Sequence, residues 1–399
     1  MIICRAYPSG QVTLDSPRGV GYDWLSDPAM KSNPSPIQSH VRFDRSYQLA
    51  ERQLKALIEK HSGLFPMYTR AGRWVTQGET WTNWCEGFLA GMLWLVYAYN
   101  GEAWWREQAE HYTLLIEPRK ADRGVHDLGF LFWSSWKRWY DLTGDPALQQ
   151  VVIEAGKTLA LRYQPKGGYL RSFLAANSLF IDIMMNVGII FYAAREMGDE
   201  ALWQLARQHC LTTRRHLVRG DGSTAHEGIF DLESGEFLRQ STQQGYRGDS
   251  CWARGLAWAL YGFSTVYGFT REPGFLETSR ACADFYIEHT PSAGVPPNDF
   301  DELAPKYPYE SSAAAIAASG LLELARWLDG EERRKYHDYA LQILGTLTSS
   351  QFLADETPGW EGILLHGIYH LGKGLGVDES VMWGDYFFLE ALSKVKQSA

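Results

Sequence analysis

Apolar residues recur three and four positions apart along most of the chain, and this spacing constrains the fold more than any other feature of the sequence. Such spacing gathers apolar side chains on one face of an α-helix, whereas the strict alternation of a half-buried strand is rare here. Residues 46–61 carry a single apolar stripe, while 83–99 are apolar nearly all round, as in a helix buried on both sides. The sequence therefore predicts an all-α protein with an inner and an outer layer of helices.

The same spacing predicts twelve helices: 46–61, 83–99, 102–117, 126–143, 147–163, 180–197, 199–218, 248–268, 273–290, 310–329, 331–350 and 379–397. Several connections carry residues that end one helix and begin the next, as in Asn100-Gly101, Gly198-Asp199 and Gly330. Twelve helices in successive hairpins predict an (α/α)6 toroid, a closed ring of six helix pairs. An open solenoid of the tetratricopeptide type is the alternative, but the chain has no period of about 34 residues, and irregular spacing favours closure.

The helical pattern continues without a linker. No segment rich in proline and serine and no low-complexity tract interrupts it. We therefore predict a single (α/α)6 domain over 1–399, with 1–40 an N-terminal extension packed on it. The glycine-rich segments 165–170, 220–245 and 291–309 are expected to form long loops on one rim, where functional sites tend to lie.

The net charge of the chain and the length of its apolar segments argue against nucleic acid and membrane partners. The 399 residues include 38 basic and 47 acidic side chains, a net charge of −9, so we expect no nucleic acid partner. The longest charge-free stretches fall short of the roughly 20 apolar residues that a bilayer span needs. The start of the chain, 1–11, has no apolar run with a small-residue cleavage site, as a signal peptide would have. The sequence predicts no membrane association and a cytoplasmic location.

Several common catalytic motifs are absent from the sequence. There is no G-x-S-x-G elbow, no G-x-x-x-x-G-K-[ST] phosphate loop and no H-E-x-x-H. The five cysteines form no C-x-x-C pair and are expected to be reduced thiols. His366 and His370 are spaced four apart, but no carboxylate lies between them. We therefore expect no metal site.

Two aspartates, Asp127 and Asp182, stand at predicted helix starts within apolar sequence. Aspartate is a preferred N-cap residue, so capping is the alternative to a functional role at either position. If the two helix starts share a rim, both carboxylates face one cavity. Apolar neighbours would then raise the pKa of Asp182, as a general acid requires, while Asp127 stays ionised. His126 and His226 each precede an acidic residue, and either histidine can equally be structural.

Aromatic, amide and cationic side chains concentrate in residues 243–258. Trp252 and Trp258 flank Arg254, and an arginine between aromatic rings predicts a carboxylate clamp. The chain has 16 tryptophans, whose rings suit the faces of sugars but also ordinary packing between helices.

Together these segments resemble glycoside hydrolase family 88, the unsaturated glucuronyl hydrolases, from about Trp81 to the C-terminus. The matching segments are 126–130, Asp182 with 184–186, His226, 244–246, 252–255 with Trp258, 311–324 and 376–386. The resemblance implies an (α/α)6 toroid, in agreement with the helix count, and a catalytic domain without metal or organic cofactor.

By this resemblance, the substrate is an acidic oligosaccharide from polysaccharide lyases, with a 4,5-unsaturated uronic acid at its non-reducing end. Asp182 protonates C4 of the double bond, positive charge develops at C5 and the ring oxygen, and Asp182 then helps activate the water that attacks C5. Asp127 is implied as the second carboxylate, which stabilises the cationic transition state.

The resemblance also implies an aromatic and carboxylate-binding wall that contacts the unsaturated ring. The candidate substrate-binding residues are His126, His226, Gln244, Trp252, Arg254, Trp258, Phe173 and Trp84. Phe173 stands where the family has an active-site tryptophan, so it keeps a stacking face but lacks the indole N–H.

Two other functions stay open on the sequence alone. The same two aspartates could serve as acid and base in a conventional glycosidase acting on saturated glycosides. A non-catalytic carbohydrate-binding protein would use the aromatic rings only to stack on sugars or to fill its core.

Overall fold

The computed structural model describes residues 43–77 and 83–398, and the predicted N-terminal extension, 1–40, lies outside them. Within these ranges the chain forms fourteen α-helices. They are α1 (Phe43–Lys60), α2 (Glu86–Asn100), α3 (Ala103–Ile116), α4 (Leu128–Phe132), α5 (Trp136–Thr143), α6 (Pro146–Ala160), α7 (Ile183–Asn186), α8 (Gly188–Met197), α9 (Glu200–Leu217), α10 (Ala253–Thr270), α11 (Pro273–His289), α12 (Ser311–Ala325), α13 (Gly330–Leu347) and α14 (Met382–Ser398).

The helices form two concentric layers. In the described part of the chain, the inner ring has six positions: α2, α4 continued by α5, α7 continued by α8, α10, α12 and α14. Each position packs against the next, and α14 packs against α2, which closes the ring. Outside it lie α1, α3, α6, α9, α11 and α13. The fold is an (α/α)6 toroid, as the helix spacing predicts.

Burial separates the layers in the way that the apolar patterns predict. All 15 residues of α12, on the inner ring, are buried. By contrast, α9 buries 6 of its 18 residues, along one side. A helix apolar all round is stable only with neighbours on every side, whereas an amphipathic helix covers the ring from outside.

Two predicted helices are interrupted in the structure. The predicted helix 126–143 is divided into α4 and α5, because Ser134 and Ser135 turn their hydroxyls back to the carbonyls of Phe130 and Leu131. The predicted helix 180–197 begins later than expected, since residues 178–180 form a strand. The inner ring keeps its six positions, and both interruptions lie near its rim.

Short strands lie between the predicted helices or at their ends. They are β1 (Thr69–Arg70), β2 (Arg73–Trp74), β3 (Tyr163–Gln164), β4 (Tyr169–Leu170), β5 (Ser178–Phe180), β6 (Glu227–Phe230), β7 (Phe237–Ser241), β8 (Gly367–His370) and β9 (Leu375–Glu379). β5, β6 and β7 form an antiparallel sheet, so the predicted loop 220–245 is partly strand. β8 and β9 form a hairpin, and the glycine-rich run 372–376 extends from its turn into the start of β9. Strands of two to five residues are too short for an alternating pattern to be visible in sequence.

None of the helices in the described ranges combines the length and apolar character needed to span a bilayer. The thiols of Cys85, Cys210, Cys251 and Cys282 are free and buried, as predicted, and Cys4 lies outside the described residues. The assignment of the whole chain to one domain stays a prediction.

Candidate active site

The two aspartates singled out in the sequence occupy N-cap positions but do not cap their helices. Asp127 precedes α4 and Asp182 precedes α7, and neither side chain accepts a hydrogen bond from its own helix. Asp145 and Asp199 differ, since each carboxylate accepts a backbone N–H of the helix that it starts. The carboxylates of Asp127 and Asp182 therefore remain available for another partner.

Asn186 and Gly129 bring these two helix starts together. The Asn186 side chain accepts the N–H of Phe130 at 2.8 Å, in the place of an ordinary cap, and donates to the carbonyl of Asp182 at 3.2 Å. Gly129 permits the approach, because a Cβ there would lie 2.4 Å from the Cα of Asn186. The Asn186 side chain thus joins the starts of α4 and α7, next to the two aspartates.

His126 lies between the carboxylates of Asp127 and Asp182. Its Nε2 is 3.4 Å from Asp127 Oδ1 and 3.5 Å from Asp182 Oδ2, both long for hydrogen bonds. One ligand-type atom from each of the three residues lies within 4.8 Å of the other two. The structure therefore brings both carboxylates together around His126.

The tautomer of His126 argues against a metal in this cluster. Its Nδ1 accepts the backbone N–H of Phe173 at 2.9 Å, so the proton of the neutral ring is on Nε2. A histidine that binds a metal through Nε2 needs a free lone pair there and donates from Nδ1 instead. The donor set therefore suits proton transfer better than metal coordination.

The pKa values of the two aspartates are opposite to the expectation from sequence. Burial raises the pKa of Asp127 to about 6. Burial also acts to raise the pKa of Asp182, but the interaction with the facing His126 ring outweighs it and leaves this pKa below its usual value. The expectation that Asp182 carries the raised pKa in the free protein is wrong, because apolar neighbours in sequence do not reveal the histidine that faces the carboxyl in space.

A cavity of about 520 Å³ opens at the rim where α2, α4, α7 and α10 begin. Its size lies within the range of pockets that bind small organic ligands. The lining residues are Trp84, His126, Asp127, Phe173, Leu174, Phe180, Asp182, Gln243, Gln244, Trp252, Arg254, Trp258, Tyr369, His370 and Lys373. Of the ten candidate residues, nine line this cavity.

His226 is the candidate outside the lining. It lies behind the wall, with its ring 4.8 Å from that of Phe180 and 4.5 Å from that of Trp252. These contacts belong to a continuous series of tilted rings and one guanidinium, in which successive ring centroids, or a ring and the guanidinium carbon, lie 4.4 to 5.0 Å apart. In order, the series contains Phe180, His226, Trp252, Arg254, Trp383 and Trp84.

Arg254 is held by the protein itself. Its guanidinium donates to Gln244 Oε1 at 2.6 Å, to the carbonyl of Tyr369 at 2.8 Å and to the carbonyl of Ile368. Its Nη1 also lies 3.9 Å from Glu310, and its side chain is 1% exposed. Arg254 therefore joins α10 to β8, and its role as a clamp for a ligand carboxylate stays a prediction.

Sequence reasoning missed six residues of the lining. They are Leu174, Phe180, Gln243, Tyr369, His370 and Lys373. Leu174 and Gln243 are sequence neighbours of residues that were identified. The last three come from the β8–β9 hairpin, for which the glycine-rich run 372–376 was the available signal.

A closed ring of helix pairs, with two carboxylates and aromatic rings in one cavity at its rim, defines a carbohydrate-cleaving enzyme of the toroid class. The family model for Glycosyl Hydrolase Family 88 matches residues 58–290, and the chain belongs to this family. It is therefore a glycoside hydrolase.

Named relatives and solved structures agree with this assignment. An unsaturated glucuronyl hydrolase from Formosa agariphila is 34% identical over 363 residues, which cover 88% of this chain and 90% of the relative. The crystal structure of the unsaturated glucuronyl hydrolase from Bacillus sp. GL1, described as responsible for glycosaminoglycan degradation, superposes with a TM-score of 0.84 at 30% identity, over 89% of this chain and 97% of that one.

A third similar structure contains a ligand. It is an aspartate-to-asparagine variant of the Streptococcus agalactiae unsaturated glucuronyl hydrolase in complex with dGlcA-GalNAc6S. It superposes with a TM-score of 0.76 at 29% identity, over 90% of this chain and 93% of that one.

Proposed function

We propose that this protein hydrates the C4=C5 bond of a 4,5-unsaturated uronic acid at the non-reducing end of an acidic oligosaccharide and so releases the unsaturated sugar. Its substrates are the fragments that polysaccharide lyases produce, and we place the reaction in the cytoplasm, after uptake. The observation that carries the proposal is the pair of buried carboxylates on either side of His126, in a cavity walled by aromatic rings.

Asp182 is the proton donor in this proposal. Its side chain is 15% exposed and that of Asp127 5%, so Asp182 is the more accessible carboxyl from the cavity. The π electrons of the double bond take the Asp182 proton at C4, and the positive charge that forms at C5 is shared with the ring oxygen. The Asp182 carboxylate then takes a proton from the water that attacks C5, and the hydrated product opens and releases the sugar.

The pKa of Asp182 is low in the free protein, and binding of the anionic substrate raises it. A uronate carboxylate that enters the cavity adds a negative charge near Asp182, which favours the protonated acid. Asp127, whose pKa is about 6, keeps a proton in the cluster at mildly acidic pH. Once Asp127 is ionised, its charge stabilises the cationic transition state.

The spacing of the carboxylates argues against one form of the alternative function. An inverting glycosidase on saturated glycosides separates its two carboxyls by about 6.5 to 9.5 Å, which leaves room for a water. Here, oxygens of Asp127 and Asp182 lie within 4.8 Å of each other. This separation is close to the roughly 5 to 5.5 Å of a retaining glycosidase, so the choice between a saturated and an unsaturated substrate is made by assay.

The Asp182→Asn variant tests the proposal. Without a general acid, hydration should be about 10² to 10⁴ times slower, measured as the loss of ultraviolet absorbance of the C4=C5 bond in lyase-generated disaccharides. Asp199→Asn is the matched control, because Asp199 caps α9 and asparagine caps a helix equally well. That control should keep its activity within about twofold.

Three results would contradict the proposal. Full activity of Asp182→Asn would remove the assigned acid. Hydrolysis of a saturated uronide, with the unsaturated one untouched, would favour the conventional glycosidase. Tight binding of the disaccharide without turnover would indicate a carbohydrate-binding protein.

A further inference from the structure

The ring of His226 is surrounded at Nδ1 by donors from one turn. The N–H groups of Gln243 and Gln244 point to Nδ1 at 3.2 and 3.4 Å, and the hydroxyl of Thr242 lies 3.1 Å away. The residue is 2% exposed. A proton on Nδ1 would face two backbone N–H groups, so the ring carries its single proton on Nε2 and is neutral.

The hydroxyl of Thr242 contributes mainly through the shape of this turn. A hydroxyl can rotate and accept a hydrogen bond from a protonated Nδ1, whereas a backbone N–H cannot reverse its polarity. Thr242 Oγ1 also accepts the N–H of Gly245 at 2.8 Å, a side-chain contact that closes the turn 242–245. This contact directs the N–H groups of Gln243 and Gln244 at the ring.

We propose that Thr242 is a positioning residue, whose hydroxyl shapes the turn 242–245 so that the turn holds His226 as a neutral Nε2–H donor behind the wall of the active site. This inference rests on the proposed function for its catalytic consequence. The geometry of the turn and the ring carries it without any substrate.

The charge state of His226 affects the protonation of Asp182 and the stability of the cationic transition state. The charged and titratable groups that act on the ring are Asp182, Arg254, His370 and His126. An imidazolium at this position would hold Asp182 ionised and would repel the positive charge that forms at C5. In agreement with the geometry, burial lowers the pKa of His226 to about 4.

The side chains of the turn have anchors of their own. Gln243 donates to Glu227 at 3.0 Å, and Gln244 accepts from Arg254 at 2.6 Å. Loss of the Thr242 hydroxyl should therefore release the backbone N–H groups from His226 before it displaces these lining side chains. The expected defect is in the protonation of His226 and in kcat at low pH, with a smaller change in KM.

The test compares Thr242→Val, which removes the hydroxyl at nearly constant volume, with Thr242→Ser, which keeps it. ¹⁵N-histidine NMR of the full chain, with His226 assigned by its loss in His226→Gln, reports tautomer and protonation. The native protein and Thr242→Ser should stay in the Nε2–H form down to about pH 5. In Thr242→Val the protonation midpoint should rise by at least about one pH unit.

Activity gives a second readout. At pH 5, kcat of Thr242→Val should fall at least about twofold further below its pH 7.5 value than that of Thr242→Ser, because a midpoint near 5 leaves only half of the His226 rings neutral. Equal His226 titrations in the two variants, or an equal loss of kcat at every pH, would overturn the inference. If Thr242→Val does not fold, Thr242→Ala removes the same hydroxyl and is judged by the same criteria.

The NMR titration separates this inference from the proposed function. The expected titrations with no turnover of any unsaturated disaccharide would refute the function and leave the assignment of Thr242 standing. Normal turnover with equal His226 titrations in Thr242→Val and Thr242→Ser would refute the assignment of Thr242 and leave the proposed function standing.

Discussion

A buried carboxylic acid at the centre of the site makes the protein less stable where it is ionised. The pKa of Asp127 is raised to about 6 by burial, above the ordinary value of 3.8. Between these values the folded state binds more protons than the unfolded state, so stability is full at about pH 4 and falls as the pH rises through 6. Arrangements that serve a reaction at the expense of folding are common in active sites.

Asp127→Asn should therefore stabilise the fold in a pH-dependent way. The difference of about two pKa units corresponds to a gain of up to about 3 kcal/mol at pH 7.5 and almost none at pH 4. Urea unfolding of both proteins at the two pH values measures this gain, and activity should fall in the same variant. An equal gain at both pH values would contradict the assigned pKa.

The short helices α4 and α7 determine the geometry of the site at the scale of elements. Each has too few residues to be stable alone, and the Asn186 side chain joins them where Gly129 lets the backbones approach. The contact of these two starts sets the separation of Asp127 and Asp182. A disturbance of a few tenths of an ångström there should affect catalysis before it affects the rest of the ring.

Gly129→Ala is the direct test of this contact. The added Cβ would lie 2.4 Å from the Cα of Asn186, so α4 and α7 must separate, and we expect a loss of about 1 to 3 kcal/mol of stability with a larger proportional loss of kcat. Gly220→Ala is the control, because a Cβ there meets no atom within 4 Å. Comparable kcat values for the two variants would show that the contact does not set the site.

At the scale of the whole molecule, a buried polar network joins inner helices away from the catalytic cavity. Glu390 on α14 accepts hydrogen bonds from Tyr261 on α10 at 2.8 Å, from Ser319 on α12 at 2.6 Å and from Arg138 on α5 at 2.5 Å. Burial acts to raise the pKa of Glu390, but the charges of Lys394 and Arg138 outweigh it and lower this pKa. The stability that the ionised carboxylate contributes is thus present above its ordinary pKa and is lost as the pH falls.

Removing this charge should weaken the ring without changing the site. Glu390→Gln removes the carboxylate that pairs with Arg138 and leaves Lys394 with Glu323 alone, and we expect a loss of about 3 kcal/mol in urea unfolding at pH 7.5. The matched control, Glu196→Gln, breaks a solvent-exposed pair with Arg195 and should lose less than about 1 kcal/mol. Among folded molecules KM should be unchanged, and a large change in KM would mean that the network reaches the site.

The sequence by itself determined the features that depend on local periodicity and residue type. Apolar spacing predicted the two layers and the helix positions of the toroid, since a helix repeats every 3.6 residues whatever surrounds it. Asp127 and Asp182 were identifiable because each is a carboxylate at a predicted helix start within apolar sequence. The ordered series of short motifs between residues 126 and 386 identified the family.

The tertiary structure decided the features that depend on distance through space. It buried Asp127, which raises its pKa, and placed His126 against Asp182, which lowers that pKa, because electrostatic interactions depend on separation and burial, which residue order does not specify. It gave Arg254 partners on β8, more than a hundred residues away in the chain. It also supplied the wall formed by the β8–β9 hairpin, since strands this short become ordered only when the ring is already packed beneath them.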